Sequence, residues 1–272
     1  MKDLEERLTR AFPELKVAPL EELATGFHSV AVETADGIVF RIPRQEGTAN
    51  GHTAEQRLLP LLAERLPARI PLPEWRIEPG HPDFPFGAIG YRKLPGRHPV
   101  TGSDLLAAGL GGFLTALHSI SLDVEVPAAW PLQDLPDLEG VLEPYEIERV
   151  TRWWGSARNE LERYEPALRH GDPWYGNLLV DESGELTGVL DWEGLSLDDP
   201  AADFAAQAYF GVQFVDAVLE HYPPVDVAFR RRVVLLAERR EFDGIRISLE
   251  LGDEIELAES VAKLRAGPIL SG

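Results

Sequence analysis

The chain of 272 residues has no cysteine and a single methionine. Without thiols there is no disulfide, no thiolate nucleophile, no iron–sulfur ligand and no cysteine-held zinc. Positive charge is also scarce: 26 Lys plus Arg stand against 46 Asp plus Glu, a net charge of −20. A nucleic-acid binder needs a basic face against phosphate, so that class is set aside. No apolar run approaches the ~18 residues that a membrane span requires. The start, MKDLEERLTRAF, is charged and amphipathic and holds no apolar signal core. A soluble, cytoplasmic protein with no nucleic-acid and no membrane partner is the expectation. The 44% hydrophobic content is ordinary and supports a packed core. The length fits one large domain or two intimate lobes.

Charge is unevenly spread. Residues 1–100 carry 14 acids and 13 bases, whereas residues 101–272 carry 32 acids and 13 bases. A solvated acidic surface explains this. So does an acidic second part that attracts a cation.

Periodicity orders the elements. Residues 1–18 read as a short amphipathic helix with Leu4, Leu8 and Phe12 on one side. HSVAVET (28–34), an Ala35-Asp36-Gly37 turn and IVFRIPR (38–44) read as a hairpin. Residues 48–51 read as loop. A helical stripe follows over 53–66, in which Pro60 must kink the helix or sit near its start. ARIPLPEWRIEP and FGAIGYRKL (86–94) read as a strand pair. Pro95-Gly96 is a break that coincides with the charge shift, dividing the chain into 1–95 and 96–272. Residues 104–120 are apolar nearly all round, as a buried helix is. Residues 121–145 are Pro-rich and irregular, 146–165 a polar helix, 167–193 short strands with turns. After Pro200 the pattern is helical, broken at Tyr222-Pro223-Pro224. Strands first and helices after make an α+β chain in two lobes.

The segment His170-Gly171-Asp172-Pro173-Trp174-Tyr175-Gly176-Asn177, then LLVD, then Gly188-Val189-Leu190-Asp191-Trp192-Glu193, carries the chemistry. Antiparallel pairing of LLVD with LTGVL across the Ser183-Gly184 turn sets Asn177 and Asp191 at one end of a hairpin. Two oxygen donors there could hold a hard cation such as Mg²⁺. Asp172, in the same loop, could accept a proton from a hydroxyl. Base, cation and phosphates in one small volume is the layout of phosphoryl transfer. Read singly, Asp172 is a turn cap and Asn177 an Asx-turn residue. His170 reads as a packed organiser of the loop, and Asp199, before Pro200, as a helix cap.

HGDxxxxN, the strand pair, DxE and DDPAADFA (198–205) together resemble the aminoglycoside phosphotransferase family, whose fold is similar to that of the protein kinases. The resemblance implies a β-rich N-lobe and a larger, mostly helical C-lobe. It implies Asp172 as catalytic base, Asn177 and Asp191 as Mg²⁺ ligands, and Glu193 supporting a second metal site. Asp203 is similar to the aspartate that braces the catalytic loop. IVFRIPR resembles the third-strand signature and TAEQRLLPLLAERL helix C, so Glu55 would pair with the third-strand cation. That cation is normally lysine, and here it is Arg41, whose fork also holds carboxylate and phosphate. Thr25-Gly26-Phe27-His28-Ser29 has one glycine, but lies where the family covers the nucleotide phosphates, so Gly26, Phe27, His28 and Ser29 are candidate phosphate contacts. No GxxxxGK[ST] occurs, which excludes a Walker-type NTPase.

By the same resemblance, the acceptor site lies in the second lobe among acids that bind amines. Glu238, Glu241 and Asp243 are its candidates, although helical i,i+4 pairing explains such acids equally. Trp174 beside the base stacks on a sugar ring or plugs the core. The expectation is a small-molecule O-kinase using Mg²⁺ with ATP or GTP, acting on a cationic, hydroxyl-bearing substrate, as monomer or homodimer. A macrolide, choline or sugar-amine kinase remains open, as does a scaffold that binds nucleotide without turnover. A metal-dependent hydrolase using His170, Asp172 and Asp191 is the outlying reading.

Overall fold

Alternation along one strand decides which way the N-terminal part is built. Within Ile38–Pro43, residues 38, 40 and 42 share one face and 39, 41 and 43 the other. Ile38 and Phe40 join Leu8, Phe12, Val17, Val32, Ile77, Phe84 and Ala88 in one apolar cluster. Arg41 therefore faces the opposite side, toward the rest of the chain.

The computed structural model describes residues 1–25, 29–44, 46–129 and 131–271. Helix α1 (Lys2–Ala11) lays its Leu8 and Phe12 on the sheet, with the Phe12 and Phe40 rings 5.0 Å apart. It stops short of the expected residue 18 because Pro13 disfavours helical backbone at Phe12. Strands β1 (Glu21–Thr25), β2 (Ser29–Glu33) and β3 (Ile38–Pro43) follow. Helix α2 (Glu46–Leu62), β4 (Trp75–Ile77) and β5 (Ala88–Arg92) complete this part. The strands form one antiparallel sheet in the order β1-β2-β3-β5-β4. The expected β2–β3 hairpin turns at Gly37, whose φ of +78° suits glycine. The expected loop at 48–51 is instead part of α2, which starts seven residues early at Glu46, so Pro60 falls in its last turn and breaks little.

The second part opens with α3 (Asp104–His118), capped by Ser103. Then come α4 (Pro144–Leu161), β6 (Ala167–Arg169), a 3₁₀ turn (Tyr175–Asn177), β7 (Leu178–Val180), β8 (Leu186–Val189) and β9 (Ser196–Asp198). Helices α5 (Ala201–Ala205), α6 (Val212–Glu220), α7 (Val227–Leu251), α8 (Glu254–Ala266) and α9 (Pro268–Ser271) end the chain. β7 pairs with β8 and β6 with β9, both antiparallel. As expected, α3 is the buried helix: Leu106, Leu110, Phe113, Leu114 and Leu117 are all at most 1% exposed. A Cβ on Gly111 would sit 2.6 Å from His221 Cβ, so glycine lets α3 approach the end of α6. The main core joins α3 to Leu58, Leu59 and Leu62 of α2, to Val189 and Trp192, and to Phe204. The two parts thus share apolar packing and not only a linker. Among the described residues no helix is long and apolar enough to cross a membrane.

Asp199 is expected at the cap of α5 but lies one residue before it, the N-cap position being Pro200; its side chain still accepts from Ala201 N–H at 3.1 Å. It also carries a role that sequence did not reveal. Arg232 of α7 donates to it through Nε at 2.7 Å, and both residues are buried. Removing one partner of a buried ion pair strands the other charge. Arg232→Ala is expected to cost about 3–5 kcal/mol of stability. Urea-induced unfolding measures the loss.

Candidate active site

The loop between β6 and β7 is anchored from beneath by one buried carboxylate. Asp203, in the first turn of α5, is fully buried. It accepts from His170 N–H at 2.9 Å, from Gly171 N–H at 2.8 Å and from His118 Nε2–H at 3.1 Å. Burial pushes its carboxyl up, but the hydrogen bond from His118, with Arg169 in support, outweighs this and holds it below the usual value. Tyr222 OH donates to the other nitrogen of His118, at 2.9 Å, which fixes that ring. Gly171 has φ +101°, and a Cβ there would meet Gly194 O at 2.7 Å. The loop therefore presses against the segment after β8, where only glycine fits.

His170 is the expected organiser. It is fully buried. Its Nδ1 accepts from Asp172 N–H at 3.2 Å, so Nε2 carries the proton and donates to Leu190 O at 2.9 Å. Burial lowers its pKa and keeps the ring neutral. One imidazole thus ties the loop bearing Asp172 to the residue before Asp191. The ladder adds a second tie. β7 and β8 pair Leu178 with Val189, and Leu190 N–H donates to Asn177 O at 2.7 Å. The Asn177 side chain donates to Asp172 O at 2.9 Å, which leaves its carbonyl oxygen uncommitted. Asp191 has φ +60°, the one positive φ outside glycine among the described residues. That backbone strain is concentrated where the strand ends.

Arg41 binds the two parts together. Its Nη1 donates to both oxygens of Glu55, at 2.8 and 3.0 Å. Its Nη2 donates to Asp191 Oδ1 at 2.8 Å and to Glu193 Oε1 at 2.5 Å. Burial works against the guanidinium charge, and Glu55, Asp191 and Glu193 more than offset it, raising its pKa. Burial pushes the Glu55 carboxyl up while Arg41 pulls it back. The expected pairing of Arg41 with Glu55 is present. Its reach to Asp191 and Glu193 was not foreseen.

The remaining expected residues divide. Asp172 stands in the open, its side chain 53% exposed, with Arg240 Nη2 3.4 Å from Oδ1. Ser29 opens β2 opposite Pro43, while Gly26, Phe27 and His28 lie outside the described residues. Trp174 does not plug the core. It is partly buried in an aromatic group, 4.6 Å from Tyr175 and 5.9 Å from Tyr209 by ring centroids. Glu238 and Glu241 line a cavity of about 210 Å³ with Tyr209, Arg240 and Lys263. Asp243 is not among its lining residues and instead pairs with Arg239 at 2.9 Å. The helical turn explains the split: residues 238 and 241 share a face, whereas 243 lies well round from it.

Sequence reasoning missed His52, His118, Gln207 and Arg240. His52 lies one turn before Glu55, on the same helical face, and its Nε2 is 3.3 Å from Glu193 Oε1. That spacing was readable. Gln207 donates to Pro173 O at 2.5 Å from a buried position, a long-range contact without local signal. His52, Glu55 and Glu193 present ligand-type atoms close together, but Arg41 already occupies Glu55 and Glu193. Asn177 and Asp191 each keep a side-chain oxygen that could serve a hard cation such as Mg²⁺. Asp203→Asn puts an amide donor against one of the N–H groups the carboxylate now accepts. It is expected to lose about 1–3 kcal/mol of stability, read from denaturant unfolding.

The Phosphotransferase enzyme family matches this chain over residues 19–231. The uncharacterized protein YcbJ of Bacillus subtilis (strain 168) is 27% identical over 238 residues, 75% of this chain and 74% of the relative. A solved complex of APH(2")-IIIa with GDP and kanamycin superposes with a TM-score of 0.86 at 22% identity, covering 98% of each chain. The macrolide 2'-phosphotransferase MphH of Brachybacterium faecium superposes at 0.69 with 20% identity, over 98% of this chain and 99% of that one. These structures share the kinase-like fold, a small antiparallel-sheet N-lobe and a helical C-lobe. Given a match over most of its length, the chain belongs to the phosphotransferase enzyme family.

Proposed function

We propose that the chain transfers the γ-phosphate of ATP or GTP to a hydroxyl of a small, amine-bearing molecule, with Asp172 as the base. Structural neighbours with GDP or ADP support a nucleotide co-substrate. Neighbours in complex with kanamycin, gentamicin and streptomycin make an aminoglycoside-type acceptor the first to test. The observation that carries the reading is the joint anchoring of Asp172, Asn177 and Asp191. The Asn177 side-chain amide holds the Asp172 main-chain carbonyl, and the Asn177 main-chain carbonyl takes the Leu190 N–H next to Asp191.

In this reading residues 1–95 form the nucleotide lobe and 96–272 the catalytic and acceptor lobe. Asn177 and Asp191 would hold Mg²⁺, with Glu193 in support. Bound there, the ion neutralises phosphate charge. Arg41, held by Glu55, Asp191 and Glu193, lends its positive charge to the phosphate side of the site. Ser29, which opens β2, contacts the phosphates. Asp172 orients the acceptor hydroxyl and takes its proton as the oxygen attacks phosphorus in line with the departing diphosphate. His170 and Asp203 hold the loop still, and Trp174 offers a ring face to the acceptor. The protein works in the cytoplasm, as a monomer or homodimer.

A coupled turnover assay with ATP and GTP in turn, against aminoglycosides, macrolides and amino alcohols, tests this. Asp172→Ala is expected to lower kcat by about 10²–10⁴ with nucleotide affinity kept. Nucleotide binding without turnover of any acceptor overturns the catalytic reading in favour of a scaffold. The pH profile gives a second check. Partial burial raises the Asp172 pKa, with Arg240 opposing. A base must be unprotonated to act. Activity is therefore expected to fall as pH drops through an apparent pKa above that of an ordinary aspartate, and to be level at neutral pH.

A further inference from the structure

The cavity beside Asp172 is not the acid-only pocket that a polycation would call for. Its walls include Glu238 and Glu241, but also Arg240 and Lys263, so the charged side chains balance. Glu238 is partly spent already, since Trp153 Nε1–H donates to it at 2.9 Å.

Arg240 is the residue to explain. Its guanidinium lies over the Tyr209 ring, 4.4 Å from the centroid. One terminal nitrogen, Nη2, reaches Asp172 Oδ1 only at 3.4 Å, a long contact. The other, Nη1, is buried with no hydrogen-bond partner. A buried guanidinium N–H without an acceptor is costly, and a planar fork with donors to spare is matched by a two-oxygen anion. An ammonium brought to the same place would meet repulsion. The unsatisfied arginine and a second cation, Lys263, line one small space, and the long contact of Arg240 with Asp172 ties that space to the base.

We infer that the acceptor is amphoteric: besides the hydroxyl aimed at Asp172, it carries an oxyanion, carboxylate or phosphate, that Arg240 and Lys263 hold. Glu238 and Glu241 take its amine. The inference rests on the phosphotransfer reading and narrows its substrate class. Arg240 is a specificity-determining residue, since it meets a part of the acceptor that does not react. Tyr209 keeps its guanidinium flat and in position.

The test uses the full chain with matched acceptor pairs. One arm holds hydroxy amino acids and amino-sugar acids against their neutral amides. A second holds amino-sugar phosphates against the unphosphorylated parents, and aminoglycosides serve as the polycation arm. Turnover and calorimetric binding to the Mg-nucleotide-loaded protein are both read. Wild type is expected to favour the anionic member of at least one pair by about tenfold or more in affinity and in kcat/KM, and the winning arm identifies carboxylate or phosphate. Arg240→Gln is expected to abolish the preference, Arg240→Lys to restore part of it, and Lys263→Gln to weaken it, with nucleotide affinity and melting temperature as folding controls. Equal or better use of neutral or polycationic acceptors overturns the inference. So does failure of every anionic member to bind, or a preference that survives in Arg240→Gln. Failure of the phosphotransfer reading looks different, as loss of Mg-dependent nucleotide binding in the wild type.

Discussion

One guanidinium joined to three carboxylates organises this protein. Arg41 comes from the central strand of the sheet, Glu55 from α2, and Asp191 and Glu193 from the segment after β8. Three pieces of chain, one of them 150 residues beyond Arg41, must be in place before that charge is satisfied. A buried arginine without its acids would be untenable, and the acids without the arginine would repel one another. The shared apolar core then fixes α2 against α3, so the pairing does not rest on charge alone.

The loop bearing Asp172 is held differently, by hydrogen bonds from its main chain to the Asp203 carboxylate and through the His170 ring. Asp203 takes two backbone N–H groups, and His170 links Asp172 to Leu190. Each bond is modest, yet all converge on a few residues, and rigid positioning is what phosphoryl transfer asks of a protein. Exposure divides these residues by their proposed roles. Asp203 and His170 are sealed, whereas Asp172 and Asp191 keep about half their side chains open to solvent.

Much of this was readable because it is local. The spacing of Asp172, Asn177 and Asp191 lies within one loop and one hairpin, and the β2–β3 hairpin announces itself by Asp36-Gly37. The braces were harder to read. Asp203 was recognisable by resemblance, but its partner His118 is 85 residues away and its ring contacts leave no mark on the local pattern. Arg232 beneath Asp199 and Arg240 beside Asp172 come from one long helix in which arginines looked like solvated counter-charges to the acids. The early start of α2 was hidden by Thr48, Asn50 and Gly51, loop-prone residues overridden when the helix docks on Glu193. The acidity of the second part is also less free than its count suggests. Asp226 and Asp253 cap helices, Glu146 holds Arg265, and Asp243 holds Arg239.

The most direct test of the central claim is calorimetric nucleotide binding with Mg²⁺ and with chelator, in the wild type and in Asp191→Ala. Binding that is strong with Mg²⁺, weak in chelator, and insensitive to Mg²⁺ in Asp191→Ala is the predicted result. Equal affinity in chelator, or unchanged Mg²⁺ dependence in Asp191→Ala, would contradict the account.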